Sequence, residues 1–186
     1  DTATFPKNDP GLFLNSHNPK FKNPDKSFRV PHFIIEETQE DLENISRELS
    51  KLGIKVRRPE PIEKNKKIQT PFWQSEQYFN YCPRDIFSVI GDTILESPNI
   101  ERSRYFESFS YRNILTRYLN EGGKWICAPK PRLRDSDYNK NKHAHFTLKN
   151  DEPIFDAANI LRAGKDLFYL VSSSGNELGL KWLQNV

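Results

Sequence analysis

Residues 152–168, EPIFDAANILRAGKDLF, place an aspartate near the start of an apolar run that is otherwise typical of a β-strand. An unpaired carboxylate away from water is costly, so a buried strand usually excludes one. Asp156 therefore either faces solvent or lies against a cation. From the pattern we expect a strand at Phe155–Arg162, a turn at Ala163–Asp166 and a second strand at Leu167–Val171.

The same order of elements occurs earlier in the chain. Asp85 precedes two short apolar runs, Ile86–Ile90 and Thr93–Leu95. The Gly91-Asp92 pair between these runs is a two-residue hairpin signal. A helix is predicted to follow at Arg102–Asn120, because apolar residues recur there at helical spacing.

Each unit thus follows one plan: an aspartate, a strand, a Gly/Asp turn, a strand and a helix. In the first unit, a further strand is predicted at Lys124–Ala128. In the second, Asn176 is expected to cap a helix that continues to the end of the chain at Val186, so this unit is expected to be truncated. The pattern is typical of an internal repeat, with Asp85 and Asp156 at matching places.

The chain is expected to have two parts. Residues 1–31 are rich in Pro, Asn and Lys, and we predict an extended arm there with a short strand at Gly11–Leu14. Residues 32–186 are predicted to form one partial α/β domain.

Four elements outside the repeat are predicted within this domain. We expect a strand at His32–Ile35, then a helix that Thr38 caps and Gly53 ends. Another short strand is expected at Ile54–Val56. The polar stretch Pro129–Asp151 is predicted to be an exposed, mobile loop.

Composition excludes several classes of protein. The 186 residues carry 28 basic and 25 acidic side chains, interspersed without a contiguous basic face, which argues against a nucleic-acid partner. No apolar run approaches the ~20 residues of a membrane helix. Two cysteines and no signal-peptide core argue against a secreted disulfide framework, so we predict a cytoplasmic protein. The absence of methionine indicates a processed chain or a piece of a longer one.

Asp85 and Asp156 are the first candidate site residues. If the two units pack around a common axis, both carboxylates converge on one central site. Paired carboxylates in a dry cavity suit a planar cation such as a guanidinium, which makes bidentate contacts. Ala157 and Ala158 would leave room for such a ligand. The alternative is that both aspartates cap turns or strand ends, as most such residues do.

Five motifs, in the same order as in a known enzyme family, extend this interpretation. They cover roughly residues 72–183, whereas residues 1–71 match weakly. The motifs are YFNYCPRD at 78–85, VIGD at 89–92, RSRYFE at 102–107, Trp125 with APKP at 128–131, and FDAANILRAGKDLF at 155–168. In them the chain resembles the amidinotransferases, the family of glycine amidinotransferase and the inosamine-phosphate amidinotransferases.

The resemblance implies an α/β propeller, a pentein-like fold of ββαβ units with pseudo-fivefold symmetry. This chain would hold about two to three of the five units. In such enzymes a cysteine thiolate attacks the guanidinium carbon of L-arginine, ornithine leaves, and an amine acceptor takes the amidino group from the amidino-cysteine intermediate. This is ping-pong covalent catalysis, assisted by a histidine that a carboxylate orients.

The resemblance also implies roles for individual residues. Asp85 would bind the guanidinium of arginine, and Asp156 would be the catalytic carboxylate that partners the histidine and lies against the substrate. Asn159, a further candidate substrate-binding residue, stands where the family usually has a second aspartate, which removes a charge. Arg102 and Arg104 would bind substrate by organising the pocket, or would be surface positions on a helix.

The remaining chemistry of the family is not expected in this chain. In the family, the catalytic histidine lies in a His-x-Asp motif beyond the segment that corresponds to FDAAN here and usually reads FDAAD. The family's nucleophilic cysteine lies near the C-terminus, and this chain is expected to end before either residue. Cys82 matches a family cysteine that is not the nucleophile, and Cys127 is expected to be a small core residue. His143 and His145 could bind a metal, but no third ligand is in view, so we expect no metal and no cofactor.

The leading hypothesis is that the chain is the donor-binding part of an amidinotransferase acting on L-arginine and an amine acceptor, inactive alone. One alternative is a stand-alone, non-catalytic domain that binds a ligand or a protein through the same scaffold. Another is a fragment of an arginine deiminase-like hydrolase, in which water replaces the amine. An open propeller would expose strand edges, so homo-oligomers are expected.

Overall fold

The computed structural model describes residues 32–63, 66–77, 80, 82–140 and 146–186. Its helices are α1 (His32–Lys51), α2 (Pro83–Ile86), α3 (Arg112–Asn120) and α4 (Glu177–Leu183), with 3-10 helices at Arg102–Arg104, Glu107–Tyr111, Asp135–Asp137 and Ala157–Asn159. Its strands are β1 (Lys67–Gln69), β2 (Gln74–Glu76), β3 (Phe87–Ile90), β4 (Thr93–Glu96), β5 (Lys124–Cys127), β6 (Tyr138–Lys140), β7 (Phe146–Leu148), β8 (Ile160–Ala163) and β9 (Asp166–Tyr169). The predicted arm and the strand at Gly11–Leu14 lie outside the described residues.

A three-stranded mixed sheet forms the centre of the first unit. β3 pairs antiparallel with β4, which confirms the predicted hairpin. Gly91 turns the chain with a φ of 60°, a backbone conformation that favours glycine. α3 then crosses back, so that β5 pairs parallel to β4 and confirms the predicted strand at Lys124–Ala128. Ile94 of β4 and Leu115 of α3 belong to the buried cluster between the sheet and the helix.

The second unit repeats this plan through its helix. β8 pairs antiparallel with β9, and Gly164 turns the chain between them with a φ of 66°. Asn176 caps α4 as predicted, because its Oδ1 accepts the backbone N–H of Gly179 at 2.8 Å. The prediction that this helix continues to Val186 is wrong, since α4 ends at Leu183.

The two units are joined side by side. The guanidinium of Arg84 in α2 donates to Ala157 O at 2.5 Å and to Ile160 O at 2.6 Å. Phe155 is fully buried in a cluster with Leu95 of the first unit. A side chain from each unit therefore fixes the segment that carries Asp156.

A separate buried cluster contains the stretch that was predicted to be a mobile loop. Within Pro129–Asp151, strands β6 and β7 pair antiparallel, and Leu133 is fully buried. Leu133 and Tyr138 pack with Trp73 of the preceding segment. The loop prediction is wrong for these residues. Their apolar side chains are spaced too irregularly to show a periodic pattern, yet they pack against residues far away in the sequence.

Three predicted elements differ in the structure. The strand at His32–Ile35 is wrong, since these residues form the first turn of α1, and the Thr38 hydroxyl donates to Ile34 O at 2.7 Å instead of capping. No strand forms at Ile54–Val56. Arg102–Asn120 is not one helix but two 3-10 turns followed by α3. Within the described residues, no helix has both the length and the apolar character needed to cross a membrane.

We expect Phe155→Ala to lower the free energy of unfolding by about 3–5 kcal/mol, because it empties a buried ring site. The ring lies 6.0 Å from that of Trp182 and 6.4 Å from that of Tyr169, between centroids. Denaturant unfolding monitored by circular dichroism measures the change. The matched control is Phe168→Ala on β9, which removes a 58% exposed ring and should shift stability by about 0.5 kcal/mol at most. Equal losses in both variants would contradict the joining role of Phe155.

Candidate functional site

Asp156 does not lie within a strand. It precedes the 3-10 helix Ala157–Asn159, so the predicted strand at Phe155–Arg162 is wrong over its first half. The backbone N–H of Asp156 donates to Ser174 O at 3.1 Å and to Asn159 Oδ1 at 3.0 Å. Its Oδ1 is buried and has no hydrogen-bond partner among the described residues. Such an oxygen stays unsatisfied unless a donor is supplied from elsewhere.

The charge state of Asp156 depends on its neighbours. Burial raises the pKa of Asp156 to about 7, since a charged carboxylate is disfavoured away from water. The guanidinium of Arg104 opposes this shift, whereas the negative charges of Asp85 and Glu107 add to it. The structure thus brings Asp85 and Asp156, from matching places in the two units, into one charged cluster.

Arg104 is the cation of this cluster. Its side chain is 5% exposed, which contradicts the alternative that it is a surface position. Nη1 of Arg104 donates to Asp85 Oδ2 at 2.8 Å, and Nε donates to Glu107 Oε2 at 2.5 Å. Burial lowers the pKa of Arg104, but Glu107 and Asp85 outweigh it and raise that pKa above its ordinary value. Arg104 therefore stays a cation.

Sequence reasoning missed Glu107 as a site residue. Its side chain is fully buried, and its Oε1 has no hydrogen-bond partner among the described residues. Burial raises the pKa of Glu107 to about 7, although Arg104 opposes the shift. The available signal was its place three residues after Arg104 in RSRYFE, since side chains of opposite charge meet at that spacing on a helical turn.

The cluster has a shortage of positive charge. Asp85, Glu107 and Asp156 come from three separate segments, and all three interact with the guanidinium of Arg104. The ammonium of Lys130 also acts on Glu107, but more weakly than Arg104, so three carboxyl groups face two cations. Protonation of Glu107 and Asp156 relieves part of the repulsion near neutral pH, and a bound cation would relieve the rest. Asp85 is 32% exposed, so the cluster is accessible from solvent at this residue. The arrangement is chemically suited to a cationic ligand.

Arg102 lies outside this cluster. It is 5% exposed, which again contradicts a surface position, and its Nε and Nη2 donate to Leu133 O at 2.9 and 2.5 Å. Its guanidinium also lies over the rings of Trp73 and Tyr138, 5.6 and 5.5 Å from their centroids. These contacts stabilise the buried cluster around Leu133.

Asn159 and Ala157 shape the turn beside Asp156. The Asn159 amide donates to Leu170 O and to Ser172 Oγ, both at 2.9 Å, which an unprotonated aspartate could not do. Ala157 is fully buried, and its carbonyl accepts from Arg84, so it packs between the units rather than leaving room for a ligand.

The two cysteines occupy different environments in the structure. Cys82 is half-buried, and its carbonyl accepts from Arg104 Nη2 at 3.4 Å. The prediction that Cys127 is a buried core residue is wrong: it is exposed, and its thiol donates to Glu96 Oε2 at 3.3 Å. His143 and His145 lie outside the described residues. Among the residues that are described, no group of three or more His, Cys, Asp and Glu could hold a metal ion.

We expect the free energy of unfolding of the Asp156→Asn variant to increase relative to that of the native protein as the pH rises. The folded protein retains the Asp156 proton up to a pKa of about 7, above the ordinary 3.8. The native protein therefore loses stability between these two pKa values as pH rises, and the asparagine variant does not. Denaturant unfolding of both proteins from about pH 4 to about pH 8 measures the difference. The matched control, Asp151→Asn, replaces an exposed aspartate and should follow the native profile; the same profile for Asp156→Asn would contradict the assignment.

The chain is similar to several amidinotransferases. It is 43% identical over 185 residues to inosamine-phosphate amidinotransferase 1 of Streptomyces griseus, across 98% of this chain and 53% of that protein. It is 37% identical over 161 residues to the L-arginine:L-lysine amidinotransferase of Pseudomonas savastanoi pv. phaseolicola, across 83% of this chain and 44% of that protein. No protein-family model matches.

The fold shows the same similarity. The solved structure of the inosamine-phosphate amidinotransferase from Streptomyces griseus matches with a TM-score of 0.88 at 43% identity, over 99% of this chain and 53% of that one. The chain spans about half the length of the curated relatives it matches. Similarity in sequence and in structure thus agrees with the five motifs, and the chain belongs to the amidinotransferase family.

Proposed function

We propose that this chain supplies the arginine-binding part of an enzyme that transfers the amidino group of L-arginine to an amine acceptor. The observation that carries the proposal is the buried Oδ1 of Asp156, which has no hydrogen-bond partner among the described residues and lies in a cluster short of positive charge. A guanidinium supplies both the missing donor and the missing charge. One relative is an L-arginine:L-lysine amidinotransferase, which supports arginine as the donor.

The proposed roles follow from the positions of the side chains. Asp85 binds the substrate guanidinium, because it is 32% exposed whereas Glu107 is fully buried. Asp156 lies against the same group and would orient the catalytic histidine of the family mechanism. Arg104 organises the pocket through Asp85. Arg102 and Asn159 support the fold around the site rather than bind substrate.

The proposed reaction has two stages. A cysteine thiolate forms a bond to the guanidinium carbon of arginine, the bond from that carbon to the side-chain nitrogen breaks, and ornithine leaves with a proton from the histidine. The amine acceptor then attacks the amidino-cysteine, gives its proton to the histidine and releases the thiolate.

Neither cysteine of this chain is assigned as the nucleophile. Although the residue is exposed, partial desolvation of the sulfur raises the pKa of the Cys127 thiol. The adjacent Glu96 carboxylate raises it further, so the reactive thiolate is disfavoured. Cys82 approaches the site with its carbonyl, which faces Arg104. We therefore expect no ornithine release by the 186-residue chain alone. Release that is lost in Cys82→Ser or Cys127→Ser would overturn this assignment.

We also propose that the two repeated units belong to an α/β propeller. The shared plan of the units and the Arg84 contacts that join them side by side support this arrangement. A cytoplasmic location and homo-oligomer formation through exposed strand edges remain predictions.

The first test is calorimetric titration of L-arginine into the chain. We expect binding that weakens by at least about tenfold in Asp85→Asn and in Asp156→Asn, because each removes a charge-assisted hydrogen bond. L-citrulline, whose side chain is neutral, should not bind.

The matched control for this titration is Asp92→Asn. Asp92 is an exposed aspartate of the β3–β4 turn, and its carboxylate pairs with the Lys124 ammonium at 3.2 Å. Arginine affinity should therefore not change in this variant. Equal binding of citrulline, or unchanged affinity in the Asp85 and Asp156 variants, would overturn the proposed function.

A further inference from the structure

We propose that Glu107 is a positioning residue of the arginine site. By holding Arg104, it keeps one oxygen of the Asp85 carboxylate occupied and the other directed to the substrate guanidinium. This inference deepens the proposed function and rests on it.

Glu107 occupies a buried position beside Arg104. Its carboxylate is fully buried on the 3-10 helix Glu107–Tyr111, where the Ser110 hydroxyl donates to Glu107 O at 2.9 Å. A carboxylate is expensive to bury unless a cation compensates it. Arg104 is that cation, with 2.5 Å between Nε and Oε2. Glu107 therefore has a defined partner rather than a solvated or interchangeable one.

The guanidinium of Arg104 links Glu107 to Asp85. This group is planar and rigid, so fixing Nε also fixes the directions of its other two nitrogens. Nη1 then donates to Asp85 Oδ2 at 2.8 Å, and Nη2 faces Cys82 O at 3.4 Å. Glu107 thus sets the orientation in which Arg104 meets Asp85.

The Asp85 carboxylate keeps one oxygen for a ligand. Arg104 occupies Oδ2, and within the described residues no side-chain donor is placed on Oδ1. Asp85 is also 32% exposed, so a ligand can reach it. A short carboxylate held at one oxygen presents the other in a fixed direction, which lowers the entropic cost of binding a guanidinium.

The test compares two buried glutamates. Glu107→Gln keeps the shape of the side chain but removes its charge, and we expect L-arginine affinity to fall about tenfold in calorimetric titration. Glu96→Gln is the matched control: Glu96 is 2% exposed, and it accepts from Trp125 Nε1 at 3.2 Å and from the Cys127 thiol at 3.3 Å. Both variants are expected to change the unfolding midpoint, but only Glu107→Gln should change arginine affinity.

A second variant tests the same geometry from the other side of the ion pair. Arg104→Lys keeps a positive charge, yet an ammonium is a point charge that does not reproduce the fixed fork between Glu107 and Asp85. We expect a loss of arginine affinity similar to that of Glu107→Gln. If Glu107→Gln does not fold, the arginine affinity of Arg104→Lys still tests the positioning role.

The outcomes separate the inference from the function on which it rests. If the native chain does not bind L-arginine, the proposed function fails. If the native chain binds and Asp85→Asn weakens binding, the proposed function stands, and unchanged affinity in Glu107→Gln or Arg104→Lys overturns the positioning role. Equal loss in Glu107→Gln and Glu96→Gln also overturns it, because the effect would then be a general consequence of altering a buried carboxylate.

Discussion

The buried ion pairs of Arg104 are the interaction on which the candidate site depends. One guanidinium bonds to Asp85 at 2.8 Å and to Glu107 at 2.5 Å, and its charge also opposes the upward shift in the pKa of Asp156. A buried cation without carboxylates would be unstable, and so would these carboxylates without the cation. Because there are more carboxyl groups than cations, the cluster either holds protons or binds a cationic ligand.

The repeat explains how two distant aspartates come into this cluster. Asp85 precedes the β3–β4 hairpin and Asp156 precedes the β8–β9 hairpin, so equivalent positions of two similar units contribute the carboxylates. Their proximity depends on the contact between the units, in which Arg84 donates to two backbone carbonyls of the second unit. The function proposed for the site is therefore a property of the paired units and not of either hairpin.

Membership of a motif and a role in binding are different properties. Arg102 and Arg104 lie two residues apart in RSRYFE, and both are buried. Arg104 bonds to the carboxylates of the site, whereas Arg102 bonds to the Leu133 carbonyl and to Asp135 outside the site and packs against aromatic rings. Asn159 likewise belongs to the FDAAN motif, but its side-chain amide donates hydrogen bonds to Leu170 O and Ser172 Oγ beside the turn. Only the contacts of each side chain separate binding from support.

The sequence by itself determined the features that depend on neighbours along the chain. The glycine turns of both hairpins, the Asn176 cap and the matching places of Asp85 and Asp156 follow from local patterns, because turns and caps need few distant contacts. Only the tertiary structure decided that Leu133 is buried and that Glu107 belongs to the site. Burial and charge compensation depend on residues far apart in sequence, which no local pattern records.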